Sequence, residues 1–277
     1  MNTIPTALSR EDYLSLKRAH RHLEHPSLAV RLADVIGTPL EKGVKLLPRQ
    51  LHQGLQRCAE NAIWRALGVA VASLKNKQGA ASHDACYKLL GIASGAVGGF
   101  FGGPALLVEL PFTTTLMLRS IADIARSTGE NLDDIATRLA CLEVFALGGR
   151  SKEDDAADTG YYGLRLALEM PVAAASSYIA QNGLANRAGA PMLVDFITMI
   201  SSRFGITVSE KAAAEIIPII GAVGGALINS VFIQHFQDTA RSHFTIRRLE
   251  RKYSPSLVQA EYYKLRSPEY RLLYAAA

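Results

Sequence analysis

Two uncharged, glycine-rich stretches constrain this chain more than any other feature of it. Leu89 to Val108, LLGIASGAVGGFFGGPALLV, has no charge in twenty residues, and Gly91, Gly95, Gly99 and Gly103 stand four apart. Ile216 to Ile233, IIPIIGAVGGALINSVFI, repeats the spacing at Gly221 and Gly225 and shares the pentapeptide GAVGG. A glycine costs a helix interior about 1 kcal/mol relative to alanine. A regular four-residue spacing therefore points to a use, and the use that helix geometry offers is a smooth face where another backbone approaches closely. An offset of 126 residues superposes the two segments, placing Gly103 on Asn229 and Glu109 on His235. The sequence predicts two central glycine helices, each leading into an amphipathic helix with basic residues.

The rest of the chain reads as helix. Ser9 with Asp12 is an N-cap followed by an acidic first turn, opening a helix to about Glu24. His20, His22 and His25 near its end read as solvated side chains. A short helix over 27–36 follows. Leu51, Leu55, Cys58, Ala62, Ala66 and Val69 recur at helical steps over 49–74. Pro104 opens the helix after the first glycine segment, with a kink expected at Pro111. Asn131 reads as the cap of the next helix, which ends at Gly148 and Gly149. RSKEDDAADTG, 150–160, reads as an exposed loop. A helix from Tyr161 is expected to break or kink near Pro171. Pro191 opens a short helix to about Phe204, and Thr207 with Glu210 forms a capping box for a new one. No stretch alternates with β-branched enrichment, so the expected class is all-α: a single multi-helix bundle with two central glycine-rich helices. The divisions expected are an N-terminal helix over 1–26, a helical domain over 27–254 and a tail helix over 255–277.

Composition narrows the function classes. The formal charge of +5 permits an anionic surface as partner, while the absence of interleaved aromatic and basic residues argues against nucleic acid. Three scattered cysteines without a CxxC point to free thiols and leave zinc without a ligand set, and no cofactor motif stands out. The first twenty residues carry charges and lack the apolar core of a secretory signal. Leu89 to Val108 is long enough to cross a bilayer, but Glu109 and Pro111 follow it at once.

Three patterns in order resemble the EcsC family of bacterial proteins. They are IGTPLEKGVKLLP before a long helix; GAVGGFFGGPALLVELPFTTTLMLRSIADIARSTGENL followed by LACLEVFALGG; and IIPIIGAVGGALINSVFIQHFQDTARSHFTIRRLERKY. The resemblance implies an all-helical protein of the cytoplasmic side, in a family whose founding member is named for its association with an ABC transport system. It brings no catalytic set with it.

Two groups of residues remain as candidates. Glu109, Arg119, Asp123, Asn229, His235, Asp238 and Arg241 lie on the helices that follow the glycine segments. Arg119 and Asp123 are spaced to pair, as are His235 and Asp238. If the two halves pack together, the set converges near one end as buried ion pairs or as a head-group site. The basic run Arg247, Arg248, Arg251 and Lys252 is placed to meet anionic head groups. The expected function is a non-enzymatic, membrane-proximal protein, cytoplasmic or peripheral at the inner face of the cell membrane. Its expected partner is lipid or a membrane transport protein. A hydrolase acting on a lipid or peptide at the membrane and a soluble helix-binding scaffold are the alternatives. GxSxG, Walker A and HExxH motifs are all absent.

Overall fold

The computed structural model describes residues 7–24, 28–37, 40, 44, 47–74, 103–149, 160–184, 190–216 and 221–266. Among these residues there are nine α-helices and no strand. They are α1 (Arg10–Glu24), α2 (Leu28–Ile36), α3 (Arg49–Ser73), α4 (Gly103–Ser127), α5 (Ile135–Leu147), α6 (Tyr161–Asn182), α7 (Pro191–Ile216), α8 (Gly221–Lys252) and α9 (Pro255–Arg266). Gly91, Gly95 and Gly99 lie outside the described residues, as do Cys86 and the expected loop over 150–159. Gly103 and Gly221 are the first residues of α4 and α8, and Gly225 is buried on α8. Those two helices pack against each other, joined by a 2.9 Å hydrogen bond from Gln237 to Ser120.

The start of α1 follows the expected capping chemistry. The Asp12 N–H donates to Ser9 Oγ at 3.2 Å, filling one of the donors that a helix start leaves open. Other boundaries differ from the sequence reading. Asp134, not Asn131, caps α5: its carboxylate accepts from the Ala136 N–H, while Asn131 Oδ1 takes the Asp133 N–H within the preceding turn. That turn begins at Gly129, whose φ of 86° favours glycine. Thr207 caps nothing, because α7 runs unbroken through it. Ile197, Ile200, Phe204, Val208 and Ala212 form one buried stripe across the expected break, and the Thr207 hydroxyl turns to the Phe204 carbonyl at 2.8 Å. Neither Pro111 nor Pro171 ends its helix. In α6 the carbonyl freed by Pro171 is that of Ala167, an exposed residue, so water can satisfy it.

Helix α7 packs against α2, α3, α4, α5, α6 and α8. By length and composition its span Pro191–Glu215 could cross a membrane, and 56% of that window is buried inside the fold. The inner side of this apolar helix is therefore explained by the bundle. Phe145, Phe204, Phe232 and Phe236 meet between α5, α7 and α8 with ring centroids 5.0–6.3 Å apart, and form the centre of the main core. A second apolar cluster joins both ends of the described chain: Leu16, Ala19 and Leu23 of α1 meet Ile246 and Leu249 of α8 and Val258, Tyr262 and Leu265 of α9. His20 belongs here. It is buried with its ring 4.6 Å from that of Tyr262, whereas His22 is exposed as expected and His25 lies outside the described residues.

Candidate functional site

Helix α8 carries most of the predicted site residues, and its polar side chains settle into separate clusters along its length. The first lies at the start of α8. Lys211 of α7 is fully buried, 3.0 Å from Glu109 Oε1 and 3.6 Å from Glu215 Oε1, with its ammonium 5.2 Å from the centroid of the Phe232 ring. Both carboxylates are themselves buried, and Thr113 also donates to Glu109. Burial pushes the Glu215 carboxyl up from its ordinary range, an effect the Lys211 cation only partly offsets. Asn229 is buried one turn from Phe232.

The second cluster is at mid-helix. His235 donates from Nε2 to the Gly148 carbonyl at 2.8 Å and is fully enclosed, so burial lowers its pKa to about 4. It does not bond Asp238. That carboxylate instead takes Arg31 at 2.9 Å, Arg241 at 3.0 Å and Gln234 at 2.7 Å. Nor do Arg119 and Asp123 pair: Asp123 is bonded by Arg126, and Arg119 is exposed. The single constellation expected at one end is thus divided. Glu109 is held by Lys211, Asp238 by arginines, and His235 by a backbone oxygen. The physical reason is twofold: Asn229 and His235, six apart on the 32-residue α8, lie at different levels, and His235 and Asp238, three apart, are each taken by a partner from another element, Gly148 and Arg31.

A pH dependence follows from His235. In the unfolded chain it binds a proton near pH 6.5, in the folded one only near pH 4. Stability is therefore fully present above about pH 6.5 and is lost as pH falls toward 4, by about 3 kcal/mol at the limit. His235→Gln, which keeps an N–H for Gly148, is expected to flatten this acid limb in urea unfolding at pH 7 and pH 5. An unchanged limb would show that other groups cause it.

The third cluster lies at the end of α8 and involves residues not picked out from the sequence. Glu130 accepts two bonds from Arg247, at 2.9 and 3.0 Å, and one from Arg251. Asp12 of α1 takes Arg248 at 3.3 Å, Lys252 at 2.6 Å and the Tyr253 hydroxyl at 2.8 Å. Burial opposes ionisation of Asp12, but the bonds from Lys252, Tyr253 and Ser9 outweigh it and hold the carboxyl at about 2. The predicted basic run is thus tied down by two buried acids, with Arg248, Arg251 and Lys252 still partly exposed.

Facing this end are Glu143 of α5, Tyr161 and Arg165 of α6, and His243 and Glu250 of α8. Arg165 grips Glu250 at 2.8 and 3.0 Å, and Tyr162 also donates to Glu250. Arg165 donates as well to the Tyr161 hydroxyl, which lies 3.0 Å from His243 Nδ1. His243 Nε2 is buried without a hydrogen-bond partner among the described residues. Burial, reinforced by the cations of Arg165 and Arg247, keeps His243 neutral. Glu143 is buried and makes no hydrogen bond among the described residues; burial raises its pKa to about 7, although Arg247 and Arg165 oppose this. In sequence Glu143 sat within an apolar run, LACLEVFAL, and a lone carboxylate there was the available signal.

Two exposed surfaces were also missed. The outward strip of α1 carries Arg10, Leu14, Lys17 and Arg21, with Arg18 beside them. None of the four cations has an acidic partner among the described residues. Leu14 is 48% exposed in their midst. The second surface is on α6. From Leu166 to Leu184 the sequence has a single charge, Glu169, and its outward line runs Leu166, Met170, Ala173 and Ser177. Leu166 is 71% exposed and Met170 77%. Among the described residues no group of three or more His, Cys, Asp or Glu side chains is placed to hold a metal ion.

Comparison with known proteins gives one result. The comparison with curated proteins and that with solved structures each returned no match. The model of the EcsC protein family matches residues 11–249 of the 277, from the first turn of α1 to the last turn of α8. A match of that length takes in the clusters around Lys211 and His235 whole and most of those at the end of α8, and the chain belongs to the EcsC family.

Proposed function

We propose that this chain is a non-enzymatic, membrane-proximal binding protein that docks on anionic lipid at the cytoplasmic face of a bilayer. The observation that carries the reading is the outward strip of α1: four cations without acidic partners among the described residues, set around an exposed leucine. Arg248 and Lys252 border the strip through Asp12, so that six cations stand against two acids, Glu11 and Asp12. A basic helix face with an apolar residue at its centre suits the head-group region, where each cation contributes about 1 kcal/mol. The charge-poor face of α6 favours lipid over nucleic acid as the anionic partner, because a bilayer offers an apolar interior beside its charge. Membership of a family whose founding member is associated with ABC transport fits a membrane transport protein as a partner met at that surface. The hydrolase alternative gains no support from the two candidate residues that could act as a base, since His235 is spent on Gly148 and Glu109 on Lys211.

Sedimentation with phosphatidylcholine vesicles, with and without phosphatidylserine, tests the proposal. Binding is expected only to the anionic vesicles, and is expected to weaken with salt. The variant Arg10→Glu, Lys17→Glu, Arg21→Glu is expected to lose roughly 100-fold in partitioning, at about 1 kcal/mol per cation removed. Arg10 and Arg21 are exposed, and half-buried Lys17 has no acidic partner among the described residues, so the fold is expected to be retained. Equal binding of this variant, retention on duplex DNA without vesicle binding, or no vesicle binding by the native chain would each overturn the reading.

A further inference from the structure

Helix α1 lies against α8 and α9 and presents to them a charged end and an apolar stripe. Its Asp12 is held at Tyr253 and its Glu24 at the Tyr262 hydroxyl, so it runs alongside α9. Three donors converge on Asp12. Lys252 Nζ and the Tyr253 hydroxyl reach Oδ2 at 2.6 and 2.8 Å, and Arg248 reaches Oδ1 at 3.3 Å. Tyr253 is buried, while the Arg248 and Lys252 side chains are 37% and 53% exposed. Among the described residues these two cations share one carboxylate, so one positive charge is left over. Beyond the donors, Leu16, Ala19 and Leu23 fill a groove walled by Ile246 and Leu249 of α8 and by Val258, Tyr262 and Leu265 of α9. This cluster is separate from the main core, so α1 can leave with that core intact.

Taking from the proposed function only the anionic lipid as ligand, we propose that this groove binds a lipid with a phosphomonoester head and an acyl tail, and that α1 covers it as an internal stand-in for that lipid. The phosphate takes the position of the Asp12 carboxylate and accepts from Lys252, Arg248 and Tyr253. Its charge of about −1.5 to −2 balances both cations, which the single charge of Asp12 does not. The tail takes the place of Leu16, Ala19 and Leu23. From Asp12 to Leu23 the helix rises about 16 Å, close to the roughly 15 Å that one acyl chain spans in half of a bilayer core. Once displaced, Asp12 is hydrated on α1, so no buried charge is left without a counter-ion. Head and tail are both required. A dissolved phosphate does not refill the apolar groove, and an uncharged tail does not compete with Asp12 for its cations. Release frees a helix of 15 residues, which is marginal alone in water and suited to the surface of a bilayer.

The experiment is amide exchange on the full chain with lysophosphatidic acid, a monoacylglycerol phosphate, kept below its micellar concentration. Protection over α1 is expected to fall about tenfold or more as the freed helix frays, while α7 and α9 keep theirs, α9 because the tail replaces the stripe. Inorganic phosphate and the matching monoacylglycerol are expected to leave α1 protected. The matching fatty acid is expected to need about fivefold more, for the charge it lacks. Asp12→Asn should lower the lysophosphatidic acid required about tenfold, the strength of one charge-assisted hydrogen bond. Glu11→Gln removes the same charge from an exposed neighbour and should shift it less than about twofold. An α1 that stays protected in saturating lysophosphatidic acid overturns the groove site and leaves vesicle docking through the outward strip untouched. Release by inorganic phosphate or monoacylglycerol, a fatty acid acting at equal concentration, or equal shifts in the two variants would also overturn it. Release of α1 by a chain that fails to sediment with anionic vesicles would support the groove and overturn the docking.

Discussion

Lys211→Met is expected to destabilise the fold by about 3–5 kcal/mol, the cost of breaking a buried ion pair from one side. Methionine matches the length of the lysine stem and keeps contact with Phe232. What it removes is the charge that, among the described residues, opposes Glu109 and Glu215 in their shared interior site. Two carboxylates would then face each other away from water. Guanidinium unfolding measures the loss, and a fall in Tm of about 10 °C should accompany it. Adding Glu109→Gln and Glu215→Gln is expected to restore most of the stability, because uncharged amides no longer need the ammonium. The single variant should also gain stability as pH falls, since protonation relieves the repulsion. A loss below about 1 kcal/mol would mean that solvent reaches the site and that its charges are not sealed.

Gly149→Ala should be nearly as damaging, for a steric reason. A Cβ at this position would lie only 2.3 Å from the Arg203 carbonyl oxygen and 2.8 Å from its carbon. Those atoms belong to the backbone of α7 and cannot rotate away, so α5 and α7 must separate. Overpacking of this kind costs about 1–3 kcal/mol, and here the upper end or beyond is expected. Gly205→Ala is the control. Its Cβ would meet Gln56 Oε1 at 2.0 Å, a shorter distance, but to the tip of a flexible side chain. Gln56 can swing away, giving up a 3.3 Å hydrogen bond to the Ser201 carbonyl. Thermal unfolding of both variants should therefore rank Gly149 above Gly205, the reverse of the order that distance alone suggests.

The helices were legible because their signals are local. The Ser9–Asp12 cap, the apolar period over 49–74 and the stop at Gly148 and Gly149 each act within a few residues. Thr207 shows where local reading fails: a sound capping box was overridden by an apolar stripe continuing from Ile197 to Ala212. The candidate site was legible as a set of residue types but not as a set of pairs. His235 and Asp238 share a helix face in sequence, yet Arg31, 207 residues away, takes the aspartate, and Gly148 takes the histidine. Sequence spacing fixes which side chains point together along one helix; it carries no information about which neighbour arrives from elsewhere. Lys211 and Glu130 escaped notice for the same reason, as did the second role of Asp12 beyond the cap, since each role is acquired only through a distant partner.

The second apolar cluster implies an order of events during synthesis. Helix α1 is made first, but the partners that hold it come last: Tyr253 for Ser9 and Asp12, and Tyr262 for Glu24 at 2.8 Å. More than 200 residues separate each of these pairs. At about 5–20 residues per second, the helix waits on the order of ten seconds or longer before its dock exists. Throughout that interval the stripe of Leu16, Ala19 and Leu23 is uncovered opposite the basic strip. The nascent segment is then an amphipathic helix of the kind that lipid surfaces and chaperones capture. Completion of α9 is what closes the latch, so a ribosome stalled before Val258 should hold an N-terminus that a protease cuts readily, and one stalled well past Leu265 should not.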